Sequence, residues 1–324
     1  VVRIIGYDSV PTTMLSTPIP KHQPDPMRSL KDEVRELLVG CGMQEAITYT
    51  LTSKAILDRV SQSPDNPKPM RVSNPMSAEQ ECLRTTLRGG LLSALAANER
   101  YQEGDIRLFE VGRIYLPQGQ ELPLEREVLG GVISCGSVTL KDLFFQIKGV
   151  VELLFHRLGG DVTFEIGEDP LLHPGRSAVI ILQGTHLGIV GEVHPRVLEA
   201  FDIGSPGVGL FELDLEGLLS HITLAKKYQP VSRYPSLMRD IALVLDEGVP
   251  AKEVQEIMKS LSLVKDATLF DIYTGEQIPS GKKSLAYRIE YHSPARTLTD
   301  EEVNKVQAKL VKRLNKELGA TLRG

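Results

Sequence analysis

The chain carries a glycine-rich stretch, residues 191–218, whose residue types could hold a nucleotide. It contains GEVHP at 191–195, GVGLFE at 207–212 and LEGL at 215–218. This glycine spacing, with a strand running into a helix, is typical of a site that forms an adenylate. Such a site needs arginine, because a planar guanidinium donates two parallel hydrogen bonds to phosphate oxygens. The last two segments contain no arginine, so the sequence predicts a protein that assists a catalyst.

Two positions mark where arginine is missing. The segment FEVGRIY, residues 109–115, is followed by Leu116, and Leu215 and Glu216 are followed by Gly217. Loss of one preorganised donor to a reacting group lowers the rate about a hundredfold to a thousandfold.

Other residues with chemical potential fit more than one role. Arg84, Arg88 and Arg113 could contact an anion or a partner subunit, or they could form ordinary surface contacts and ion pairs. The histidines lack the HExxH spacing and paired-ligand spacing of metal sites, and Cys82 has no histidine nearby in sequence. A metal site or a cysteine nucleophile is therefore disfavoured.

The composition is that of an ordinary globular protein. Of the 324 residues, 41% are hydrophobic and 24% are charged, and the length suggests about two domains. The apolar runs are much shorter than the roughly 20 residues of a membrane helix, so we predict no membrane contact. Three distant cysteines, Cys41, Cys82 and Cys135, favour reduced thiols in the cytoplasm.

The charge is divided unevenly along the chain. The net charge is −5, yet residues 225–324 hold 17 Lys and Arg against 13 Asp and Glu, which is +4 and leaves −9 for residues 1–224. This difference in net charge predicts a domain boundary, followed by a basic module that could bind an anion. Because there is no initiator methionine and residues 11–26 hold several prolines, we expect residues 1–26 to be the end of an upstream domain and a linker.

The pattern of residues 27–224 predicts an α+β fold around a largely antiparallel sheet. A helix should begin after Asp25, carry Leu30, Val34, Leu37 and Leu38 on one apolar face, and end at Gly40. Strands are predicted at 46–51, 108–115, 128–134, 178–182, 187–193 and 208–213, and further helices at 91–101, 140–158 and 195–201.

Residues 225–324 show a different order of elements. Strands at 240–245, 269–273, 285–291 and 320–323 alternate with helices at 250–261 and 299–318, which gives the ferredoxin-like order βαββαβ. The second helix has clear boundaries, because Thr299 and Glu302 form a capping box and Gly319 favours a C-terminal stop.

Several motifs occur together along the chain. In the first part they are SNPMS at 73–77, LRTTL at 83–87, FEVGRIY at 109–115, LHPGRSA at 172–178 and GEVHP at 191–195. A further segment, RYPSLMRDIA, lies at residues 233–242. Together the motifs resemble one family, the beta subunit of bacterial phenylalanyl-tRNA synthetase, and the last segment resembles the anticodon-binding domain of that family. The motifs occur in the family's order and cover nearly the whole chain.

The resemblance implies a division of labour between subunits. Residues 27–224 are expected to form a module like a class II synthetase that makes no adenylate, because Leu116 and Gly217 stand where the active alpha subunit carries arginine. With both arginines missing, no residue of this chain is assigned to catalysis. The family works as two alpha and two beta chains, and it charges tRNA with phenylalanine using ATP and magnesium. This chain would brace the alpha subunit. Its magnesium carboxylates are expected upstream of Val1, so no metal site and no cofactor are expected here.

The same resemblance makes residues 225–324 an anticodon-binding domain of ferredoxin fold. Alternation with a period of two places Arg288 and Tyr273 on a sheet face without helices, opposite Phe270 and Ile272. There a cation could meet phosphate and a ring could stack on a base. Flanking candidates for contact with tRNA are Arg233, Tyr234, Arg239, Lys283 and Arg296. Tyr234 and Arg239 could equally brace the domain junction.

A row of four lysines on the last predicted helix has two possible roles. Lys305, Lys309, Lys312 and Lys316 recur at helical spacing and could steer tRNA or form a solvated helix face.

Two other functions remain as alternatives. A class II-like regulatory protein that senses an amino acid would not need a basic βαββαβ tail. A free-standing RNA-binding protein would not need the amphipathic helix beside a strand, a place where class II folds dimerise.

Overall fold

The computed structural model consists of two compact units, Val1–Lys226 and Lys227–Gly324, each considered by itself. It describes all residues except 15, 19–20, 22, 24, 61–67, 103, 120, 137–139, 161, 223–227, 229–231, 276 and 324, with the backbone alone for 140–142. The predicted boundary at 224–225 and part of the predicted linker at 11–26 lie outside the described residues. In the described part, no helix is both long and apolar enough to cross a membrane.

The first unit is built on a seven-stranded sheet. Its helices are α1 (Val2–Ile5), α2 (Pro26–Gly40), α3 (Lys54–Val60), α4 (Arg88–Glu99), α5 (Leu140–Leu158), α6 (Pro195–Ala200) and α7 (Leu215–His221), with 3-10 turns at Tyr7–Ser9 and Ala78–Gln80. Its strands are β1 (Gln44–Glu45), β2 (Leu51–Thr52), β3 (Cys82–Leu83), β4 (Arg107–Leu116), β5 (Leu124–Ser134), β6 (Val162–Ile166), β7 (Leu172–Leu182), β8 (Thr185–Val193) and β9 (Val208–Asp214).

The order of strands in the large sheet is β1-β4-β5-β9-β8-β7-β6. Only the short β1 runs parallel to its neighbour β4, and the other pairs are antiparallel. The predicted α+β class with a largely antiparallel sheet is therefore confirmed. β2 and β3 form a separate two-stranded sheet.

The predicted strand at 46–51 is wrong. Ala46 donates one last backbone bond to the carbonyl of Phe109, at 2.7 Å, and the chain then leaves the sheet. Arg84 takes over the pairing, because its backbone N–H donates to the carbonyl of Thr50 at 3.0 Å and its guanidinium donates to the carbonyl of Thr48 at 3.4 Å. Residues 46–50 therefore belong to no strand.

Alternate residues of each strand enter two cores on opposite faces of the sheet. Phe109, Leu129 and Phe211 belong to the core that α2, α5 and α7 cover. Leu108 and Val128 belong to the core on the other face, which α4 and α6 cover. The sheet is thus buried on both sides, and we call the side under α4 the α4 face.

Helix α2 shows how local sequence sets an element. The side chain of Asp25 accepts a hydrogen bond from the backbone of Met27 at 3.0 Å, and Pro26 occupies the first turn, where its missing N–H costs nothing. Leu30, Val34 and Leu38 are fully buried against the sheet. This helix is confirmed as predicted from 26 to 40.

The second unit has the predicted order βαββαβ. Its elements are β10 (Leu237–Asp246), α8 (Ala251–Lys259), β11 (Val264–Tyr273), β12 (Lys282–Tyr291), α9 (Asp300–Leu318) and β13 (Thr321–Leu322), and its strand order is β11-β12-β10-β13. Both helices pack on one face of this sheet, over alternate residues of β12. The capping box of Thr299 and Glu302 and the left-handed Gly319 are present. The predicted ferredoxin-like unit is confirmed.

Candidate nucleic-acid interface

Among the residues of the second unit that the structure describes, no helix covers one of the two sheet faces, which we call the open face. Strand β12 sets it, because Leu285, Tyr287, Ile289 and Tyr291 are buried under α8 and α9. The residues between them, including Ala286 and Arg288, therefore point to the open face. The register places Ala242 and Asp240 of β10 beside these two residues.

Tyr273 lies on the open face with a guanidinium over its ring. The carbon Cζ of Arg323 is 4.9 Å from the ring centroid, a cation–π distance. Arg323 is held from both ends, because its backbone N–H donates to the carbonyl of Ala242 at 2.9 Å and its Nη2 donates to Gln277 Oε1 at 2.8 Å. Arg323 was missed by the sequence reasoning. The available signal was a cation at the end of the predicted last strand.

Arg288 occupies the open face between a carboxylate and a ring. Its Nε and Nη2 donate to the two carboxylate oxygens of Asp240, each at 2.8 Å, and its Cζ lies 5.4 Å from the centroid of Phe270. The hydrogen bond from Arg288 lowers the pKa of Asp240, and the same bond raises the pKa of the guanidinium.

The predicted side for Phe270 is wrong. Strict alternation places Phe270 under the helices, yet its ring is 53% exposed and contacts Arg288. The cause is a register shift between Leu269 and Asp271 in the pairing of β11 with β12. A bulge of this kind adds one residue to a strand and re-aims the neighbouring side chains.

The other predicted contacts lie elsewhere in the unit. Arg239 points to the helix side and pairs with Asp300 at the start of α9. Lys283 donates to the backbone carbonyl of Glu247 at 2.7 Å, and Arg296 forms a bidentate pair with Glu302 at 2.7 and 2.5 Å. Exposed Arg233 and Tyr234 form a bend before β10. Of the seven predicted residues, the structure brings only Tyr273 and Arg288 to the open face.

The lysine row lies on α9, away from the open face. Lys305, Lys309, Lys312 and Lys316 are all exposed, and none of them forms a salt bridge with another described residue. Because α9 packs on the opposite side of the sheet, these lysines are not positioned to contact a ligand that lies on the open face.

In the first unit, two ion-pair networks fill the α4 face at the predicted motifs. Arg84, 6% exposed, donates to Glu110 at 2.6 Å and to the Thr48 hydroxyl at 3.0 Å. Arg88 lies between Glu212 at 2.8 Å and Asp169 at 2.9 Å. Burial alone would lower the pKa of Arg88, but these two carboxylates outweigh it and raise the pKa.

A third pair involves Arg113, which donates to Glu125 at 2.9 Å and Glu127 at 2.8 Å near the surface. All three arginines thus form the ordinary ion pairs that the sequence left as one alternative.

Helix α4 also packs directly on the sheet. A Cβ at Gly130 would lie 2.7 Å from Leu91 Cδ1.

The two positions without arginine are part of the packed frame. Leu116 ends β4 and pairs in register with Leu124 of β5. Gly217 lies in the first turn of α7 and donates its N–H to Asp214 Oδ1 at 3.2 Å. A Cβ at Gly217 would lie 2.9 Å from Leu187 Cδ2, so a larger residue there must displace that leucine. Within the described residues, no group of three or more His, Cys, Asp and Glu side chains could hold a metal ion.

Comparison with known proteins gives both units a family. The model of the phenylalanyl tRNA synthetase beta chain CLM domain matches residues 10–215. The model of the ferredoxin-fold anticodon binding domain matches residues 232–323.

Curated relatives match along the whole chain. It is 41% identical to the phenylalanine–tRNA ligase beta subunit of Dehalococcoides mccartyi strain CBDB1 and 38% identical to that of Geobacillus kaustophilus strain HTA426. Each alignment takes in 100% of this chain but only 40% and 41% of the relative, respectively. A solved pyrrolysyl-tRNA synthetase from Desulfitobacterium hafniense superposes on 60% of this chain and 68% of its own, with TM-score 0.48 and 18% identity.

Proposed function

The chain belongs to the phenylalanyl-tRNA synthetase beta-chain family, as its motifs predicted, and from this we propose that it is the tRNA-binding, non-catalytic part of a phenylalanine–tRNA ligase. It spans about two fifths of the length of its curated relatives. In this proposal the whole enzyme joins two such beta chains with two catalytic alpha chains in the cytoplasm. The open face of the second unit binds the anticodon region of the tRNA for phenylalanine.

The observation that carries the proposal is the open face itself. Unpaired loop bases are recognised by stacking on rings and guanidinium planes. Tyr273 and Arg323 offer both within one contact, 4.9 Å apart. Ala242 and Ala286 lie beside each other on the neighbouring strands, and their small side chains leave a low floor for a flat ligand. An anticodon loop supplies bases of this kind.

The residues of the first unit support a non-catalytic role for it. ATP with magnesium supplies the activated phosphate in the whole enzyme, and that step needs cations that grip its phosphates. Here Leu116 and Gly217 carry none, and Arg84 and Arg88 are already paired with buried carboxylates. The residues present do not fit ATP, so we propose that adenylate forms only on the alpha subunit.

An exposed apolar edge of the first unit supports a partner subunit. Ile47 and Tyr49, in the segment 46–50, are 90% and 80% exposed. They border a groove of about 640 Å³ between this segment and helices α3 and α4, which Arg59 and Glu79 also line. Large apolar side chains beside a groove are typical of a protein interface. We propose that the alpha subunit covers this edge.

Binding of tRNA to the purified chain tests the anticodon proposal. Replacing Tyr273 with Ala removes the ring, and we expect the affinity to fall about fivefold to 150-fold, the value of one stacked base. Tyr101→Ala is the matched control, because Tyr101 is 92% exposed and lies in the first unit. Equal loss in both variants, or loss in neither, would contradict a role for the open face.

The division of labour between subunits has its own test. We expect no phenylalanine-dependent exchange of pyrophosphate into ATP by the chain alone, and exchange when the alpha subunit is present. Light scattering of the mixture reports the assembly, and we expect an Ile47→Asp, Tyr49→Asp variant to remain unassembled. Pyrophosphate exchange by the chain alone would contradict the proposal that the first unit is non-catalytic.

A further inference from the structure

We propose that Asp240, Arg288 and Phe270 form a second position for an unpaired nucleobase on the open face, one that stacks a base and binds no phosphate. The inference rests on the proposed binding of tRNA to this face. It assigns Arg288 the role of a flat platform and Asp240 the role of a positioning residue.

The hydrogen bonds of Arg288 argue against a phosphate clamp. One of the two edges on which a guanidinium forms bidentate pairs, Nε with Nη2, is taken by the two oxygens of Asp240 at 2.8 Å. Asp271 and Glu290 also lie near Arg288 on neighbouring positions of the same face. A phosphate at the remaining Nη1 donors would therefore be repelled by the negative charge of these carboxylates.

The same contacts leave a flat surface available. Asp240 approaches the guanidinium from its edge, as a bidentate pair requires, so the faces of the plane remain free of hydrogen bonds. One face is directed to Phe270, with Cζ 5.4 Å from the ring centroid, and the Arg288 side chain is still 56% exposed. A base can stack on such a plane or on the exposed part of the ring.

This position is separate from Tyr273 and Arg323. Tyr273 is paired in register with Ser284, and Arg288 lies four residues further along β12. Four residues of strand span about 13 Å. Two unstacked bases of one loop can therefore occupy the two positions without overlap, with Ala286 between them.

Salt dependence of tRNA binding separates a stacking platform from a phosphate clamp. Each phosphate contact to a single strand contributes about 0.7 to the slope of log affinity against log salt, measured from about 50 to about 200 mM. The proposal predicts that Arg288→Lys and Arg288→Ala both weaken binding about fivefold to 150-fold with unchanged slope, because lysine keeps the charge but not the plane. In Asp240→Asn, Arg288 loses its charged partner and becomes able to bind a phosphate. The slope should then become steeper by about 0.7.

The alternatives give different results. If Arg288→Lys keeps full affinity while Arg288→Ala lowers the slope by about 0.7, Arg288 binds phosphate and the inference is overturned. If Tyr273→Ala weakens binding and both Arg288 variants are neutral, the second position does not exist, although the proposed function stands. If all these variants are neutral, the proposed function itself fails. Circular dichroism of each variant confirms that the fold is intact, which we expect because the Arg288 pair is exposed.

Discussion

The first prediction concerns the contribution to stability of the buried ion pair between Arg84 and Glu110 on the α4 face. Glu110 is 2% exposed, and its charge is met by the guanidinium of Arg84 at 2.6 Å and by the Thr48 hydroxyl at 2.7 Å. At that separation and an effective dielectric constant of about 20, the Coulomb attraction is about 6 kcal/mol. The cost of desolvating both groups offsets much of it.

Replacing Arg84 with Met leaves the Glu110 carboxylate buried with one neutral donor. It also leaves the carbonyl of Arg113 without its partner, which Arg84 Nε now reaches at 2.8 Å. Removing one member of a buried pair costs about 3–5 kcal/mol, and we expect a loss in this range for Arg84→Met. The second change Glu110→Gln removes the stranded charge, so the double variant should be no less stable than Arg84→Met alone.

Native-state hydrogen exchange of the amides in β4 and β5 measures this loss within the first unit, without assuming that both units unfold together. The double-mutant cycle should show a coupling of about 1–3 kcal/mol between the two residues. A loss below about 1 kcal/mol for Arg84→Met, with no coupling, would refute the reasoning. The pair would then be solvated, and the α4 face would be open to a small ligand.

Three further outcomes follow from single contacts. The hydrogen bond from Arg296 holds the pKa of Glu302 at about 2, so its contribution to stability is complete above the usual value near 4.3 and is lost as the pH falls towards 2; in an acid titration of helix content, Glu302→Gln should lack this loss. Tyr287→Phe should cost about 1 kcal/mol in urea unfolding, because the buried hydroxyl now donates to the carbonyl of Ala251 at 2.8 Å. Gly217→Arg should lower the melting temperature, because a Cβ there would lie 2.9 Å from Leu187 Cδ2 and displace that leucine, and it should give no pyrophosphate exchange.

Much of the fold could be predicted because its strands and helices bury one face with a regular period. The alternation in β12 and the buried residues of α2 gave both elements correctly, and the cap residues gave the ends of α9. Short elements carry less pattern. Helices α3 and α7 and strand β6 have five to seven residues each and were not predicted.

The candidate site was less predictable, because single side chains replace the regular pairing. Residues 46–50 look like a strand, but Arg84 satisfies their carbonyls from another part of the chain. One extra residue in β11 turns Phe270 to the open face, and period-two counting cannot detect such a bulge. Arg323 reaches Tyr273 from the far end of the sequence, a contact that only the order of strands in the sheet reveals.

The most direct test of the account compares two forms of the tRNA for phenylalanine, one intact and one with abasic nucleotides in place of its anticodon bases. Equilibrium binding to the wild-type chain at one salt concentration isolates the bases, because both RNAs present the same backbone charge. With two base positions on the open face, the account predicts that the abasic form binds at least about thirtyfold more weakly. Equal affinity for the two forms would contradict the claim that this chain recognises an anticodon.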